Sequence, residues 1–76
     1  MLSRKSVDIL LLLDEVNELK EIANRLNLSE RTIRYEIENL NYYLKKFGEN
    51  EVQIITKKVE KPDTLSYESV IRHLNK

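Results

Sequence analysis

Hydrophobic side chains recur at helical spacing in the middle of the chain. The spacing i, i+3, i+4, i+7 predicts a short amphipathic helix and is formed by Leu19, Ile22, Ala23 and Leu26. A second stripe predicts a longer helix and consists of Ile33, Ile37, Leu40, Leu44 and Phe47. Two amphipathic helices separated by a short polar turn are the sequence pattern of a helix-turn-helix unit.

Polar residues mark the ends of these two helices. Asn17 is the residue type that caps a helix start, and Ser29 is suited to cap the second helix. Asn27 tolerates the left-handed backbone that ends many helices. Leu28 is then expected to fill the corner between the helices, and the small side chain of Ala23 allows a close crossing.

The pattern also predicts helices at both ends of the chain. A first helix is expected from Ser3, as its cap, to Glu15, with Val7, Leu10, Leu11 and Leu13 facing inward. Because this helix is apolar almost all round, part of it is expected to meet either the C-terminal segment or a partner subunit. Ser66 is expected to cap a last helix with an apolar stripe of Tyr67, Val70, Ile71 and Leu74.

The segment between the long helix and the last one predicts a β-hairpin. Gly48 is placed to end the long helix. Residues 52–59 are rich in β-branched side chains and predict one strand. Lys61–Thr64, with Pro and Asp in its middle, predicts the turn, and a very short returning strand would follow near Leu65.

The predicted fold class is therefore mainly α with a small β-hairpin, a winged helix-turn-helix with a three-helix core, a short wing and a C-terminal helix. The expected ranges are one domain over 1–76, with the helix-turn-helix at 18–47, the wing at 51–66 and the last helix at 66–75.

Polar and cationic side chains occupy the arc of the long helix opposite its apolar stripe. On a helical wheel this arc holds Arg31, Thr32, Arg34, Tyr35, Glu38, Asn39 and Tyr42. The first turns of such a helix are where side chains reach base edges, and arginine can fork onto guanine or pair with phosphate. The alternative is a solvated face on which Arg34 pairs with Glu38 or Glu30.

Two lysines of the predicted hairpin are further candidate contacts. Lys57 and Lys58 stand where a wing would touch phosphates, which positions a protein without reading sequence. They would also protect a strand edge from aggregation, and the sequence leaves both interpretations open. Tyr42 is expected to be exposed, and Tyr43 partly buried.

The run from Leu28 to Ile37, Leu-Ser-Glu-Arg-Thr-Ile-Arg-Tyr-Glu-Ile, followed by Asn39 to Leu44, resembles a known bacterial domain. It is similar to the N-terminal winged helix-turn-helix of phosphotransferase-regulated sugar-operon regulators of the lichenan and mannitol type. Mga regulators and the biotin repressor are more distant relatives. The resemblance spans roughly residues 2–58. It implies double-stranded DNA as partner, and a reading set of Ser29, Arg31, Thr32, Arg34 and Tyr35.

Two segments depart from that family's pattern. The family has a short strand between its first two helices, and residues 14–17 leave little room for one here. The family's wing commonly turns on glycines, whereas the turn expected here contains Pro62. Both departures concern the wing and leave the long helix intact.

Composition narrows the classes of function. Acidic and basic residues balance at 13 each, so any DNA affinity should be weak and salt-dependent. The first third of the chain carries the acids Asp8, Asp14, Glu15, Glu18 and Glu21. The bases Arg31, Arg34, Lys45, Lys46, Lys57, Lys58 and Lys61 lie later and are expected to gather on the DNA side. No run of apolar residues is long enough for a membrane span, and a cytoplasmic location fits.

Nothing in the sequence predicts an enzyme, a cofactor or a metal site. The chain has one Gly, one His and no Cys, which gives no phosphate-binding loop and no nucleophile–base pair. His73 is expected to be a surface residue of the last helix. Two hypotheses follow: sequence-specific DNA binding in transcription regulation, by a homodimer or within a larger parent protein, or a protein-interaction module without DNA binding.

Overall fold

Helices dominate the architecture, as the apolar spacing predicts. The computed structural model describes residues 3–74, except for the side chains of Tyr67, Ile71, His73 and Leu74. Within that range the elements are α1 Arg4–Leu12, α2 Leu19–Leu26, α3 Glu30–Lys46, β1 Gln53–Ile55, β2 Lys58–Glu60 and α4 Tyr67–Leu74. The predicted class, mainly α with a small antiparallel hairpin, is confirmed.

Each of the six elements packs against one core. Helix α1 contacts α2, α3 and α4, and α2 also crosses α3. The buried apolar side chains are Ile9, Leu10, Leu19, Ile22, Ala23, Ile33, Ile37, Leu40, Leu44, Val52, Val59, Leu65 and Val70. The stripe predicted for α3 is buried except at Phe47, which is 40% exposed. Phe47 is the C-cap with a non-helical backbone, so its side chain leaves the stripe.

Helix α1 begins as predicted and ends earlier. The Ser3 hydroxyl accepts a hydrogen bond from the Ser6 N–H at 3.1 Å, which caps the helix. The helix stops at Leu12, and a turn follows where three more helical residues were expected. Leu10 is buried, but Leu11 is 44% exposed and its predicted inward position is wrong. A nine-residue helix buries only one side against the core, and α1 presents Ser6, Ile9 and Leu10 there.

The turn between α2 and α3 is stabilised by the residues expected to form it. Asn27 has φ 55° and ψ 45°, the left-handed conformation. The Ser29 hydroxyl accepts from the Thr32 N–H at 3.0 Å, so Ser29 is the N-cap of α3. Leu28 is half-buried against the core. Asn17, in contrast, does not cap α2. Glu18 holds the N-cap position without a side-chain hydrogen bond.

The hairpin turns at a different place from the one predicted. Ile54 pairs with Val59 and Ile55 with Lys58, so the two-residue turn is Thr56–Lys57, inside the segment predicted as one strand. Val59 is buried and Ile54 is half-buried. A turn at Thr56–Lys57 therefore lets each strand direct one apolar side chain to the core. The predicted turn at Lys61–Thr64 instead connects β2 to α4, where the Leu65 N–H donates to the Pro62 carbonyl at 3.0 Å.

The segment before α2 is joined to the hairpin by a single β-bridge. The Leu19 N–H donates to the Lys57 carbonyl at 2.8 Å, and the Val59 N–H donates to the Asn17 carbonyl at 2.7 Å. Glu18 therefore forms a bridge with Lys58. The expectation that residues 14–17 leave little room for a strand agrees with this, because the described residues form one isolated bridge there, at Glu18, and the sheet has two strands.

The last helix begins at a serine pair. The Ser66 hydroxyl accepts from the Ser69 N–H at 3.1 Å, and the Ser69 hydroxyl accepts from the Ser66 N–H at 3.0 Å. Helix α4 then covers part of α1, and Val70 is buried. The predicted positions of the Tyr67, Ile71, His73 and Leu74 side chains lie outside the described residues. None of the helices described is long and apolar enough to cross a membrane.

Candidate nucleic-acid interface

Helix α3 presents a polar face to solvent, which we call the outward face; it comprises Arg31, Arg34, Tyr35, Glu38 and Tyr42. Each of these residues is exposed, and the Tyr35 side chain reaches 60%. The two arginines lie in the first two turns of the helix, close to the Ser29 cap. The exposure of both arginines agrees with the solvent-facing position that the helical wheel predicts for them.

Both guanidinium groups of the outward face lack a protein partner. Among the residues that the structure describes, Arg31 and Arg34 form no ion pair and no side-chain hydrogen bond. The alternative pairs with Glu38 or Glu30 do not form; Glu30 pairs with Lys57 instead. Two unneutralised cations are thus available on one helical face, where they can bind carboxylate, phosphate or the acceptor pair of guanine.

The two hydroxyl residues of the predicted reading set serve the helix cap. Ser29 Oγ accepts from the Thr32 N–H and donates to Thr32 Oγ1 at 2.9 Å. The hydroxyl hydrogen of Ser29 is therefore already used. Thr32 is half-buried and retains its own hydroxyl hydrogen for a ligand. The main role of Ser29 and Thr32 is therefore to stabilise the start of α3.

One flank of α3 is attached to α1 by a buried carboxylate. Glu36 is 7% exposed and accepts hydrogen bonds from the hydroxyls of Ser3 at 2.6 Å and Ser6 at 3.0 Å. These bonds satisfy a carboxylate that would be costly to bury alone. Sequence reasoning missed this cluster. The spacing of Ser3 and Ser6 brings two hydroxyls together, but it does not identify their acceptor 30 residues away.

The opposite flank of α3 is attached to the hairpin by an amide side chain. Asn41 Nδ2 donates to the Val52 carbonyl at 2.8 Å, and the Val52 N–H donates to Asn41 Oδ1 at 2.8 Å. The side chain thereby occupies both backbone groups of the residue that leads into β1. This pair fixes the hairpin relative to the outward face, and no local sequence pattern indicated it.

Replacing Asn41 with alanine is expected to lower the free energy of unfolding by about 1–3 kcal/mol, because the loss leaves two partly buried backbone groups of Val52 without partners. Asn39→Ala is the matched control, since Asn39 lies in the same helix and its side chain has no hydrogen bond within residues 3–74. Urea unfolding measures both. Equal midpoints for the two variants would show that the Asn41 bonds contribute nothing.

The hairpin tip, Thr56 and Lys57, lies beside the start of α3. Lys57 Nζ is 3.0 Å from Glu30 Oε1, and the two side chains are 68% and 38% exposed. Lys58 follows as the first residue of β2 and is exposed. Because Glu18 bridges to Lys58, β2 has a neighbour on each side at this point and is not a free edge there. The hairpin therefore brings both predicted lysines to the end of the domain that holds the α3 cap.

Thr56 has an unusual backbone conformation. Its φ is 60°, whereas Lys57 has no positive φ, which is the pattern of a type II′ turn. Glycine is the usual residue at this position of such a turn, and a β-branched side chain there is strained. Ile55, directly before it, is 51% exposed. The apolar side chain of Ile55 is therefore followed at the tip by the hydroxyl of Thr56 and the ammonium of Lys57.

The second half of α3 carries an aromatic cluster. The Tyr42 and Tyr43 rings meet edge to face with centroids 5.5 Å apart, and Lys46 Nζ lies 5.5 Å from the Tyr42 centroid. Tyr42 is 63% exposed and Tyr43 is half-buried, as the wheel predicts.

One of the basic residues expected on the DNA side is paired with an acid of the protein. Lys61 Nζ lies 2.6 Å from Oδ1 of Asp14, in the turn after α1, so its charge is compensated within the protein. No group of three His, Cys, Asp or Glu residues that could hold a metal ion occurs in the described part of the chain.

Comparison with known proteins identifies the family. No curated protein and no solved structure matches the chain. The family model of the M protein trans-acting positive regulator (MGA) HTH domain matches residues 9–58, which is more than half of the chain and runs from the middle of α1 to the start of β2. The matched family is the one that the sequence resemblance ranked behind the sugar-operon regulators. The chain therefore belongs to the MGA helix-turn-helix family of regulator domains.

Proposed function

We propose that this domain binds double-stranded DNA sequence-specifically in bacterial transcription regulation, with the start of α3 in the major groove. The observation that carries the proposal is the pair of exposed, unpaired guanidinium groups in the first two turns of α3. Both flanks of that helix are hydrogen-bonded to neighbouring elements, so the outward face is presented in a fixed orientation.

Helix length sets which residues can reach bases. The 17 residues of α3 span about 25 Å, about twice the width of the major groove. Only one end of the helix can therefore lie deep in the groove. The end with the cap and the arginines is suited to it, because helix N-termini carry partial positive charge. Arg31, Arg34 and Tyr35 would face bases or phosphates, and Ser29 and Thr32 would shape the start of the helix.

The hairpin supplies the second contact in this proposal. Lys57 and Lys58 would bind phosphates of the DNA backbone beside the groove, where they add affinity without reading sequence. With a formal net charge of zero, the domain relies on the local arrangement of its cations. Its binding should therefore be weak for one copy and steeply salt-dependent. We propose that two copies, or further domains of a larger parent protein, raise the affinity in the cytoplasm.

The finer family assignment is also part of the proposal. The segment Leu28–Ile37 supports a regulator of the phosphotransferase-controlled sugar-operon type within the wider helix-turn-helix family. A regulatory, non-enzymatic role is consistent with this domain type.

A second candidate function is a protein-interaction module that has lost DNA contact. The specific observation in its favour is Leu11, a large apolar side chain of α1 that is 44% exposed, together with the neutral net charge. The unpaired guanidinium groups of α3 favour DNA.

Selection of binding sites from a random DNA library, at low and at physiological salt, tests the proposed function. We expect enrichment of a short sequence motif, with two-fold symmetry if two copies bind. The affinity for the enriched duplex should fall steeply as salt rises. Failure to enrich any motif at low salt, with a folded domain, would favour the protein-interaction module.

A further inference from the structure

The Lys57 ammonium is already paired within the protein, and its partner is the first residue of α3. Lys57 Nζ lies 3.0 Å from Oε1 of Glu30, although the residues are 27 positions apart. Elsewhere in the described range, the proposed DNA contacts Arg31, Arg34 and Lys58 have no such ion pair. Lys57 therefore differs from the other cations, because its charge is already partly compensated by a carboxylate of the protein.

The Glu30–Lys57 pair is placed where it can open. The side chains are 38% and 68% exposed, so water screens the attraction and the pair contributes little to stability. Its position at the edge of the outward face means that a DNA phosphate approaching Lys57 also approaches the carboxylate of Glu30. A phosphate that binds Lys57 therefore either displaces the Glu30 carboxylate or is held close to it, and both cost affinity.

Glu30 also occupies a second position that attracts phosphate. It is the first residue of α3, directly after the Ser29 cap. The N-terminus of a helix carries partial positive charge and favours phosphate or carboxylate. The Glu30 carboxylate supplies that negative charge from within the protein.

We propose that Glu30 is an internal competitor of DNA phosphate at the hairpin tip and at the start of α3. This inference rests on the proposed function and adds a regulation of the same site. Glu30 lowers the affinity for any DNA duplex, because the phosphate groups are the same whatever the base sequence. Contacts of Arg31 and Arg34 with bases are unaffected, so the ratio between specific and non-specific affinity is maintained while both affinities stay low.

Replacing Glu30 with glutamine is the direct test, since the amide keeps the shape and removes the charge. We expect Glu30→Gln to bind a random-sequence duplex of about two helical turns roughly 3- to 10-fold more tightly at low salt. The slope of log affinity against log salt should become steeper by up to about 0.9, because the released ammonium neutralises one more phosphate. Fluorescence anisotropy with a labelled duplex measures both quantities.

Two further variants make the result specific to this pair. Asp8→Asn changes the net charge equally and also removes the acid of an exposed ion pair, Arg4–Asp8 at 3.4 Å, but on α1. It should change affinity less than about 2-fold. The double variant Glu30→Gln, Lys57→Gln should return to the wild-type affinity or below, because no ammonium is released. Urea unfolding of each variant checks that the fold is retained.

The outcomes separate this inference from the proposed function. If the wild-type domain binds DNA and Glu30→Gln binds no more tightly than Asp8→Asn, Glu30 is not a competitor. Weaker binding by Glu30→Gln would show instead that Glu30 positions Lys57 for contact, which also overturns the inference. If the wild-type domain binds no DNA at low salt, the proposed function fails, and this inference fails with it.

Discussion

Replacing Arg31 and Arg34 together with alanine is expected to abolish sequence discrimination and to weaken DNA binding severely. Each arginine that reads a base contributes about 1–3 kcal/mol, and every 1.4 kcal/mol is about a tenfold change in affinity. Both side chains are exposed and unpaired among the described residues, so their removal breaks no ion pair and no side-chain hydrogen bond. Anisotropy titrations with the selected duplex should measure this loss of DNA affinity.

The matched control removes two cations from another helix. Arg4 and Lys5 lie in the first turn of α1 and are exposed, and Arg4 contacts only Asp8 through its side chain within the described range. Arg4→Ala, Lys5→Ala should lose affinity only through net charge, equally on selected and random duplexes. If the two double variants lose the same affinity, or if Arg31→Ala, Arg34→Ala keeps its sequence preference, the outward face of α3 is not the reading face.

The second large effect concerns the core. Leu10→Ala is expected to lower the free energy of unfolding by about 2–5 kcal/mol. Leu10 is 1% exposed, so the truncation leaves a cavity in the core where its side chain was. A domain of 76 residues has little stability in reserve, so much of the protein should be unfolded at physiological temperature. Thermal or urea unfolding followed by helical circular dichroism measures the change.

The neighbouring leucine provides the control within the same helix turn. Leu11 is 44% exposed, so Leu11→Ala removes little buried surface and should cost less than about 1 kcal/mol. The sequence pattern predicted both leucines to face inward, and only the structure separates them. Similar losses for the two variants would mean that Leu11 is covered in solution, for instance by a second copy of the domain.

Local chemistry explains why the helix-turn-helix could be predicted from the sequence. The left-handed turn at Asn27 and the cap at Ser29 depend on a residue and its near neighbours. The stripe of α3 similarly depends on 3.6-residue periodicity, and it fixes the exposure of Arg31 and Arg34 without knowledge of other elements. These predictions therefore needed no tertiary information.

The hairpin could not be placed in the same way. A two-residue turn normally contains glycine or asparagine, and here it is Thr56–Lys57, so the sequence carries no turn signal at that point. The Pro-Asp sequence after Lys61 does form a turn, but the turn leads into α4. The apolar alternation of residues 52–59 predicts one strand, because two short strands that face the same core produce a similar pattern.

The contacts that join α3 to the hairpin connect residues far apart in the sequence. Asn41 binds the backbone 11 residues on, and Lys57 meets Glu30 27 residues away. Each joins residues whose own neighbours show no matching pattern, so a single sequence gives no means to pair them. Sequence reasoning identified the cations of the proposed interface, but not which of them has an internal partner.

The left-handed backbone of Thr56 has a consequence for attempts to engineer this domain. A glycine there would adopt the same conformation without a steric penalty, and a search for more stable variants would favour it. That change would also remove the Thr56 hydroxyl from the two-residue turn of the hairpin. Variants selected for heat resistance alone would therefore change the hairpin tip directly beside Lys57, which the proposed function places at the DNA backbone.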